Sequence, residues 1–173
     1  MAGRRKRIGL RAATLAVLAA LVLGAAASRA LGQSGARGAG AEGDDPLQAE
    51  AALAASINEF RAGNGLATLH IDDRLARASR RHAANMAGQG TLSHVLDGQG
   101  PGERALAEGF AGPVAENIAA GDEGTAPAFF DLWASSELHR ANMLGTACRE
   151  LGVGCARGVD GRLYCAAMFG GAR

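Results

Sequence analysis

The stretch Trp133-Ala-Ser-Ser-Glu-Leu-His139-Arg-Ala-Asn142-Met-Leu144 gathers more polar chemistry than any other part of this chain. It contains the only Trp of the protein, two serines, a His, an Arg and an Asn. Two shorter polar stretches precede it, one beginning at His94 and one centred on Glu116. Because Ala- and Gly-rich sequence separates the three stretches, we interpret them as parts of one assembled site, which catalyses, binds or holds the fold together.

The overall composition argues against nucleic-acid binding. The chain has 173 residues and a formal net charge of +1, and only 4% of its residues are aromatic. Much of the positive charge lies in residues 3–11, so the rest of the chain is near neutral or slightly acidic. A nucleic-acid-binding domain would need a basic patch that this sequence does not provide.

The first 30 residues have the pattern of a secretory signal. A basic start over residues 3–11 is followed by an uncharged apolar run over residues 12–28, and small residues surround Ala27 and Ala30. The apolar run is close to the shortest length that spans a bilayer, so an uncleaved membrane anchor formed by residues 12–28 is the alternative. Both interpretations place the rest of the chain outside the cytoplasm, in the secreted or periplasmic space.

Residues 31–46 contain almost nothing apolar to bury and predict a flexible linker. Residues 47–173 then form one domain, which is large enough to build a hydrophobic core without cross-links. Within it, apolar spacing, caps and turn residues predict helices over 47–62, 72–88, 103–110, 127–135 and 136–144, a strand over 114–119 and a C-terminal hairpin. Helices around a small sheet predict an α+β or sandwich arrangement.

All three cysteines lie near the C-terminus, at Cys148, Cys155 and Cys165. A hairpin centred on Asp160 would set Cys155 opposite Cys165, and an exported location permits a disulfide between them. A Cys148–Cys165 disulfide is the rival pairing. The remaining alternative is that all three are buried thiols.

The polar stretches together supply two histidines and a carboxylate, His94, Glu116 and His139. This ligand set suits zinc or another divalent ion with an open position for water. The three residues are about 22 positions apart in each step, which is not a local metal motif, so the residue types alone carry the prediction weakly. Glu116 stands in an apolar run, where a carboxylate requires a His or a cation as partner.

A nucleophilic serine is a second hypothesis for the same stretch. Ser135 and Ser136 are four and three positions before His139, so either can share its helix face, with Glu116 as the orienting acid. The simpler interpretation, which we favour, is that Ser136 caps the start of a helix.

The order of these stretches resembles the CAP superfamily, also called the SCP or sperm-coating-protein-like family, and in particular its bacterial exported branch. Its members include cysteine-rich secretory proteins, insect venom antigen 5 and plant pathogenesis-related proteins. The resemblance runs from about residue 51 to 170. It is carried by Asn58 to Arg61, Leu75, Ala78, His82-Ala83, Met86, Ser93-His94, Gly98, Ala115 to Ala119, Trp133, Ser136, His139-Arg140, Asn142, Leu144, Leu151 to Gly154 and Phe169-Gly170.

The resemblance implies an α-β-α sandwich with a small antiparallel central sheet and a central cleft. The family's cleft residues correspond to His94, Glu116 and His139. Eukaryotic members carry a second Glu where this chain has Ser136, and the Thr-Gln run that many members have near their end is missing from Tyr164 to Phe169. Supporting roles are expected for Asn117, Trp133 and Asn142.

The functional expectation is therefore a binding module. Its cleft would hold a divalent cation such as zinc, a small apolar molecule such as a lipid, or a ligand of the cell envelope. A metal-dependent, peptidase-like hydrolase and a structural interaction module are the alternatives. Catalysis ranks below binding because the second Glu and the Thr-Gln run are absent. A membrane would be contacted only through an uncleaved N-terminal segment.

Overall fold

The computed structural model describes residues 44–122 and 124–171. The signal or anchor predicted over residues 1–30 and nearly all of the linker predicted over 31–46 lie outside these residues. No helix in the described part of the chain is long and apolar enough to cross a membrane.

Five helices and four strands follow one another along the described residues. In chain order they are α1 (Pro46–Gly63), β1 (His70–Ile71), α2 (Asp73–Gln89), α3 (Pro101–Ala107), β2 (Val114–Gly121), α4 (Ala126–Ser135), α5 (Glu137–Met143), β3 (Cys148–Arg157) and β4 (Leu163–Gly171).

The helices begin where short polar side chains satisfy free backbone N–H groups. The Asp72 carboxylate accepts from the backbone N–H groups of the first turn of α2, and Thr125 Oγ1 accepts from the first turn of α4. Asp45 caps α1 in the same way and is followed by Pro46. The Asp44 carboxylate also accepts from the backbone N–H of Ala126 at 2.7 Å. The last residues of the predicted linker therefore belong to the fold.

The four strands form one sheet in the order β1-β3-β4-β2. β4 pairs antiparallel with β3 on one side and with β2 on the other, but β1 pairs parallel with β3. The sheet is thus mixed, whereas a small antiparallel sheet was expected. Parallel pairing is possible here because several helices intervene between β1 and β3 and return the chain to the same end of the sheet.

Strand β4 is buried on both faces and separates two apolar layers. Side chains of Cys165, Ala167 and Phe169 contribute to the core under α1 and α4, and those of Tyr164, Ala166 and Met168 to the cores that include residues of α2 and α3. Helices therefore cover both faces of the sheet. This is the α+β, α-β-α arrangement expected from the sequence.

Glycines bring α2 unusually close to the sheet. A Cβ at Gly152 or Gly154 of β3 would collide with backbone atoms of α2, around Leu75 and around Ser79 and Arg80. The helix therefore rests directly on the strand backbone, and the Ser79 hydroxyl donates to the carbonyl of Gly152 at 3.0 Å.

The terminal hairpin has the register expected for a turn at Asp160. Cys155 lies opposite Cys165, and the two sulfurs form a disulfide. Cys148 is a free, partly buried thiol, and burial raises its pKa. The structure thus contains the pairing that the hairpin favoured rather than the rival Cys148–Cys165 bond.

Candidate functional site

Glu116 lies in the middle of β2, and only 6% of the residue is exposed. Its Oε1 accepts a hydrogen bond from Arg104 Nη2 at 2.6 Å, and its Oε2 accepts from His94 Nδ1 at 2.9 Å. The buried carboxylate is therefore paired on both oxygens, by a cation and by a His. These are the two kinds of partner that its position in an apolar run requires.

Arg104 was not among the residues that the sequence singled out. It lies on α3, is 7% exposed, and donates through Nη1 to the carbonyl groups of His94 at 3.0 Å and Gln99 at 2.7 Å. One guanidinium thus fixes both the carboxylate of Glu116 and the backbone of the loop that carries His94. The sequence does contain a feature that could have identified it: Arg104 is the only Arg or Lys between Arg81 and Arg140, and Glu116 needs a cationic partner.

His82 of α2 is a second unexpected member of the site. It is 1% exposed, its Nε2 is 2.8 Å from the carbonyl oxygen of Ser93, and the same nitrogen is 4.0 Å from Glu116 Oε2. Burial lowers the pKa of His82. The charges of Arg104 and His94 lower this pKa further, whereas the Glu116 carboxylate raises it. Because a carbonyl can only accept, Nε2 carries the proton and Nδ1 is left as an acceptor.

His94 presents its ring at the surface, with a side chain that is 49% exposed. Its Nδ1 faces the Glu116 carboxylate, so Nδ1–H donates and the neutral ring keeps Nε2 as an unprotonated acceptor. The carboxylate therefore sets both the tautomer and the orientation of the imidazole.

His139 lies on α5, and the charge of His94 affects the pKa of its ring. Burial lowers the pKa of His139, and the charge of His94 lowers it further. Neither ring nitrogen has a hydrogen-bond partner among the described residues, and Nδ1 is buried. The side-chain amide of Asn117 donates to the His139 carbonyl at 3.0 Å, which holds this part of α5 against β2.

A family model described as CAP, the cysteine-rich secretory protein family, matches residues 54–169, which is more than half of the chain. The chain belongs to the CAP family. The resemblance seen in the ordered motifs is thereby confirmed, and the central elements of the site all fall inside the matched range.

Solved structures share the CAP fold at low sequence identity. An outer surface protein of Borrelia burgdorferi is 22% identical, with a TM-score of 0.69 over 75% of this chain and 97% of the other. An extracellular SCP-domain protein of Bacillus anthracis is 23% identical, with a TM-score of 0.67 over 73% of this chain and 41% of the other.

A cysteine-rich secretory protein of Staphylococcus aureus is 20% identical, with a TM-score of 0.60 over 75% of this chain and 40% of the other. The CAP domain described here thus spans less than half of the Bacillus and Staphylococcus chains. A comparison with curated proteins gave no match.

Trp133 and Asn142 of this CAP domain attach α4 and α5 to the outer edge of β2. Trp133 Nε1 donates to the carbonyl of Ile118 at 3.1 Å, and Asn142 Nδ2 donates to that of Glu116 at 3.3 Å. The same Asn142 amide donates to Asn117 Oδ1 at 2.9 Å. These three side chains therefore hold the wall that carries His139.

Ser136 lies between α4 and α5, at the residue that precedes the first turn of α5. Its hydroxyl makes no hydrogen bond to that helix, so Ser136 stands at the N-cap position without acting as the predicted side-chain cap. It also makes no hydrogen bond to His139 within the described residues. The neighbouring Ser135 hydroxyl donates to the Leu132 carbonyl at 3.0 Å. The Ser–His contact that the nucleophile hypothesis needs is thus missing from this part of the chain.

The predicted metal ligands do not form a three-ligand set. No group of three or more His, Cys, Asp or Glu residues within the described ranges is arranged to hold a metal ion. Arg104 and His94 occupy both oxygens of Glu116, whereas His94 Nε2 and the ring of His139 keep free nitrogen atoms. The donor set suits a cation held by two imidazoles, and metal binding stays a prediction.

Proposed function

We propose that this CAP domain is an extracytoplasmic binding module whose cleft holds a divalent transition-metal ion between His94 and His139. The observation that carries the proposal is the Glu116–His94 hydrogen bond, which turns the free Nε2 of a half-exposed imidazole outward. A carboxylate on the second ring nitrogen is the usual way in which proteins orient a metal-binding His and raise its basicity.

The chemistry of the two imidazoles favours Zn²⁺, Cu²⁺ or Ni²⁺ over Ca²⁺ or Mg²⁺, which prefer oxygen ligands. The lowered pKa of His139 keeps this imidazole neutral, and therefore able to bind a metal, to lower pH than an ordinary His. The remaining coordination positions would be filled by water or by a donor group of a cell-envelope ligand.

Binding is favoured over hydrolysis by the position of Glu116. A general base needs a carboxylate oxygen within reach of a water molecule, and both oxygens of this carboxylate are held by Arg104 and His94. Glu116 is therefore placed to orient His94 rather than to accept a proton from water.

The extracytoplasmic location rests on three independent features. The N-terminal 30 residues have the pattern of a signal or anchor, and the Cys155–Cys165 disulfide suits an oxidising compartment. The structural relatives from Borrelia and Bacillus are described as an outer surface protein and an extracellular protein.

Zinc titration of the purified protein by calorimetry tests the proposed function. We expect saturable binding with one ion per chain, and loss of at least about tenfold in affinity, or about 1.4 kcal/mol, in His94→Gln and in His139→Gln. His70→Gln is the matched control, because His70 is exposed on β1 and belongs to neither wall. Absence of binding, or equal affinity in all four proteins, would refute the proposal.

A further inference from the structure

A second cavity lies behind the site, between α2, α3 and the turn over residues 95–99. Its volume is about 250 Å³, slightly below the range of roughly 300–1,000 Å³ that is usual for pockets of drug-sized ligands. One wall is formed by Arg81, His82 and Asn85 of α2, and the opposite wall by Arg104 of α3 and by Glu108, which follows that helix. Its size fits a single small ring better than a lipid chain.

The charges around this α2–α3 cavity cancel. Glu108 accepts hydrogen bonds from Arg77 at 2.9 Å and from Arg81 at 2.7 Å, and Asp97 accepts from Asn85 at 2.9 Å. Arg81, Asp97 and Glu108 line the cavity, and Arg77 adds a second cation beside it through its bond to Glu108. The guanidinium of Arg104 is neutralised separately by Glu116. Asp97 is held by the neutral amides of Asn85 and Gln89 rather than by a cation, but the four charges sum to zero, so a neutral ligand is favoured over an ion.

The inner wall keeps unused hydrogen-bonding capacity of both kinds. Arg104 Nε is a buried donor without a partner, and His82 Nδ1 is a buried acceptor without a partner. The side-chain amide of Gln99 adds a donor and an acceptor that no described residue engages. A buried polar group without a partner destabilises the fold. Both nitrogens are shielded from solvent, so a ligand in the cavity meets the other polar groups of the lining first. These are the guanidinium of Arg81, the carboxylates of Asp97 and Glu108 and the amide of Gln99.

Hydroxyl groups match this arrangement, because each is a donor and an acceptor at once. Ala78, Leu96 and Ala107 complete the lining with apolar surface, against which the C–H face of a ring can pack. We propose that the α2–α3 cavity is a second binding site, distinct from the His94–His139 cleft, and that it holds a neutral polyhydroxy ligand of the size of one sugar unit.

The two sites share a wall, which gives the proposal a distinctive readout. Arg104 lines the cavity and also holds Glu116, and Glu116 holds His94. A ligand that engages Arg104 should therefore alter the NMR signals of the His94 ring as well as those of the cavity residues. A molecule that merely adheres to the protein surface would not affect this chain of contacts.

Titration of the purified protein with glucose and with N-acetylglucosamine, followed by NMR in the presence of a metal chelator, tests the proposal. We expect saturable shifts of the Gln99 and Asn85 side-chain amides, of Arg104 Nε–H and of the His94 ring. Ala107→Phe, which fills the cavity from α3, should abolish them. Ala84→Phe is the matched control, because Ala84 is exposed on α2 and does not line the cavity.

Three results would overturn the proposal. The first is that no saturable shift occurs with either sugar, and the second is that the shifts persist unchanged in Ala107→Phe. The third is that phosphate or glycine binds there while both sugars fail, which would show that the cavity selects charged ligands. Since the chelator removes metal ions, each outcome is independent of whether the His94–His139 cleft binds zinc.

Discussion

Glu116 shows how one buried charge can organise a site. Its carboxylate lies in an edge strand, and its partners come from α3 and from the loop after α2. Of these partners, Arg104 is held in turn by the backbone carbonyls of His94 and Gln99. Removing a single member of a buried pair is costly, because the other charge stays in the interior without compensation. The same residue thereby supports the fold and the orientation of His94.

The substitution Glu116→Gln should consequently lower the free energy of unfolding by about 3–5 kcal/mol, because Arg104 loses its counter-charge. Urea denaturation of both proteins measures this effect. Glu59→Gln is the control, because Glu59 is exposed on α1 and should change stability by no more than about 0.5 kcal/mol. Equal effects of the two substitutions would contradict the assigned role of the Glu116–Arg104 pair.

His82 makes the stability of the domain dependent on pH. Burial lowers its pKa in the folded state, whereas the unfolded chain has the ordinary value of about 6.5. As the pH falls through about 6.5, the unfolded state takes up the proton first, so the free energy of unfolding decreases until the folded pKa is reached. The groups that face His82 and modify this shift are Glu116, Arg104 and His94.

Urea denaturation with a metal chelator, at about pH 7.5 and about pH 5.5 on either side of the ordinary His value, checks this expectation. The native protein should be less stable at the lower pH, and His82→Gln should show a smaller difference between the two conditions. A pH dependence that is identical in the two proteins would assign the effect to other groups, such as His139.

The site residues differ in how well the sequence reveals them. His94, Glu116 and His139 stand out because a His or a carboxylate amid Ala and Gly has few structural explanations, and the CAP motif gives their order. Arg104 is hidden, since an Arg on an amphipathic helix looks the same whether it faces solvent or the interior. His82 is one of the motif residues, but the motif does not reveal that it lies beside Glu116. Only the packing of α2 and α3 against β2 decides this.

The contact between α2 and β3 depends on two glycines. Gly154→Ala should lower the free energy of unfolding by about 1–3 kcal/mol or more, because the added methyl group overpacks against the α2 backbone. Gly88→Ala is the opposite case: it lies in α2 with open space around it and should raise stability by about 0.5–1 kcal/mol. The melting temperatures of both variants test these expectations. An unchanged melting temperature in Gly154→Ala would show that α2 can shift to make room for the methyl group.

The C-terminal hairpin offers a test by thiol counting. The denatured protein should expose one reactive thiol without reductant and three after reduction, because Cys155 and Cys165 are bonded and Cys148 is free. Replacing both bonded cysteines by Ala should cost about 2–3 kcal/mol for a loop of this length, whereas Cys148→Ala should have a smaller effect. Three reactive thiols before reduction would contradict the disulfide.

Local sequence signals located the helices well. Asp72 and Thr125 cap the helices that follow them, as short polar side chains at these positions predict. The two-residue strand β1 was not predicted, because so short a segment has no periodicity of its own. It exists only because β3 offers a partner, and that long-range pairing also makes the sheet mixed.

The described part of the chain consists of a sheet with helices on both faces, and Glu116 with its partners lies along β2 at one edge of that sheet. The resemblance to the CAP family predicted this architecture, whereas composition and periodicity alone allowed several arrangements. What no motif could show is the α2–α3 cavity, because its walls come from two helix faces that meet only in the folded chain.

Intact mass spectrometry of the protein recovered from outside the cytoplasm distinguishes a signal from an anchor. Cleavage after Ala27 or Ala30 should give a chain that lacks the apolar run over residues 12–28. Recovery of the uncleaved chain with the membrane fraction would favour the anchor. A full-length chain in the cytoplasm would contradict both interpretations.

The side chains that attach α4 and α5 to β2 also cover the backbone carbonyl groups at this edge of the sheet. Along the outer side of β2, the carbonyl groups of Glu116, Ile118 and Ala120 accept hydrogen bonds from Asn142, Trp133 and Arg162. An unpaired strand edge is a template on which another extended chain can assemble. Losing Trp133 would therefore do more than weaken the attachment of α4. It would also expose unpaired backbone carbonyl groups of β2, to which another chain could bind, and so promote aggregation.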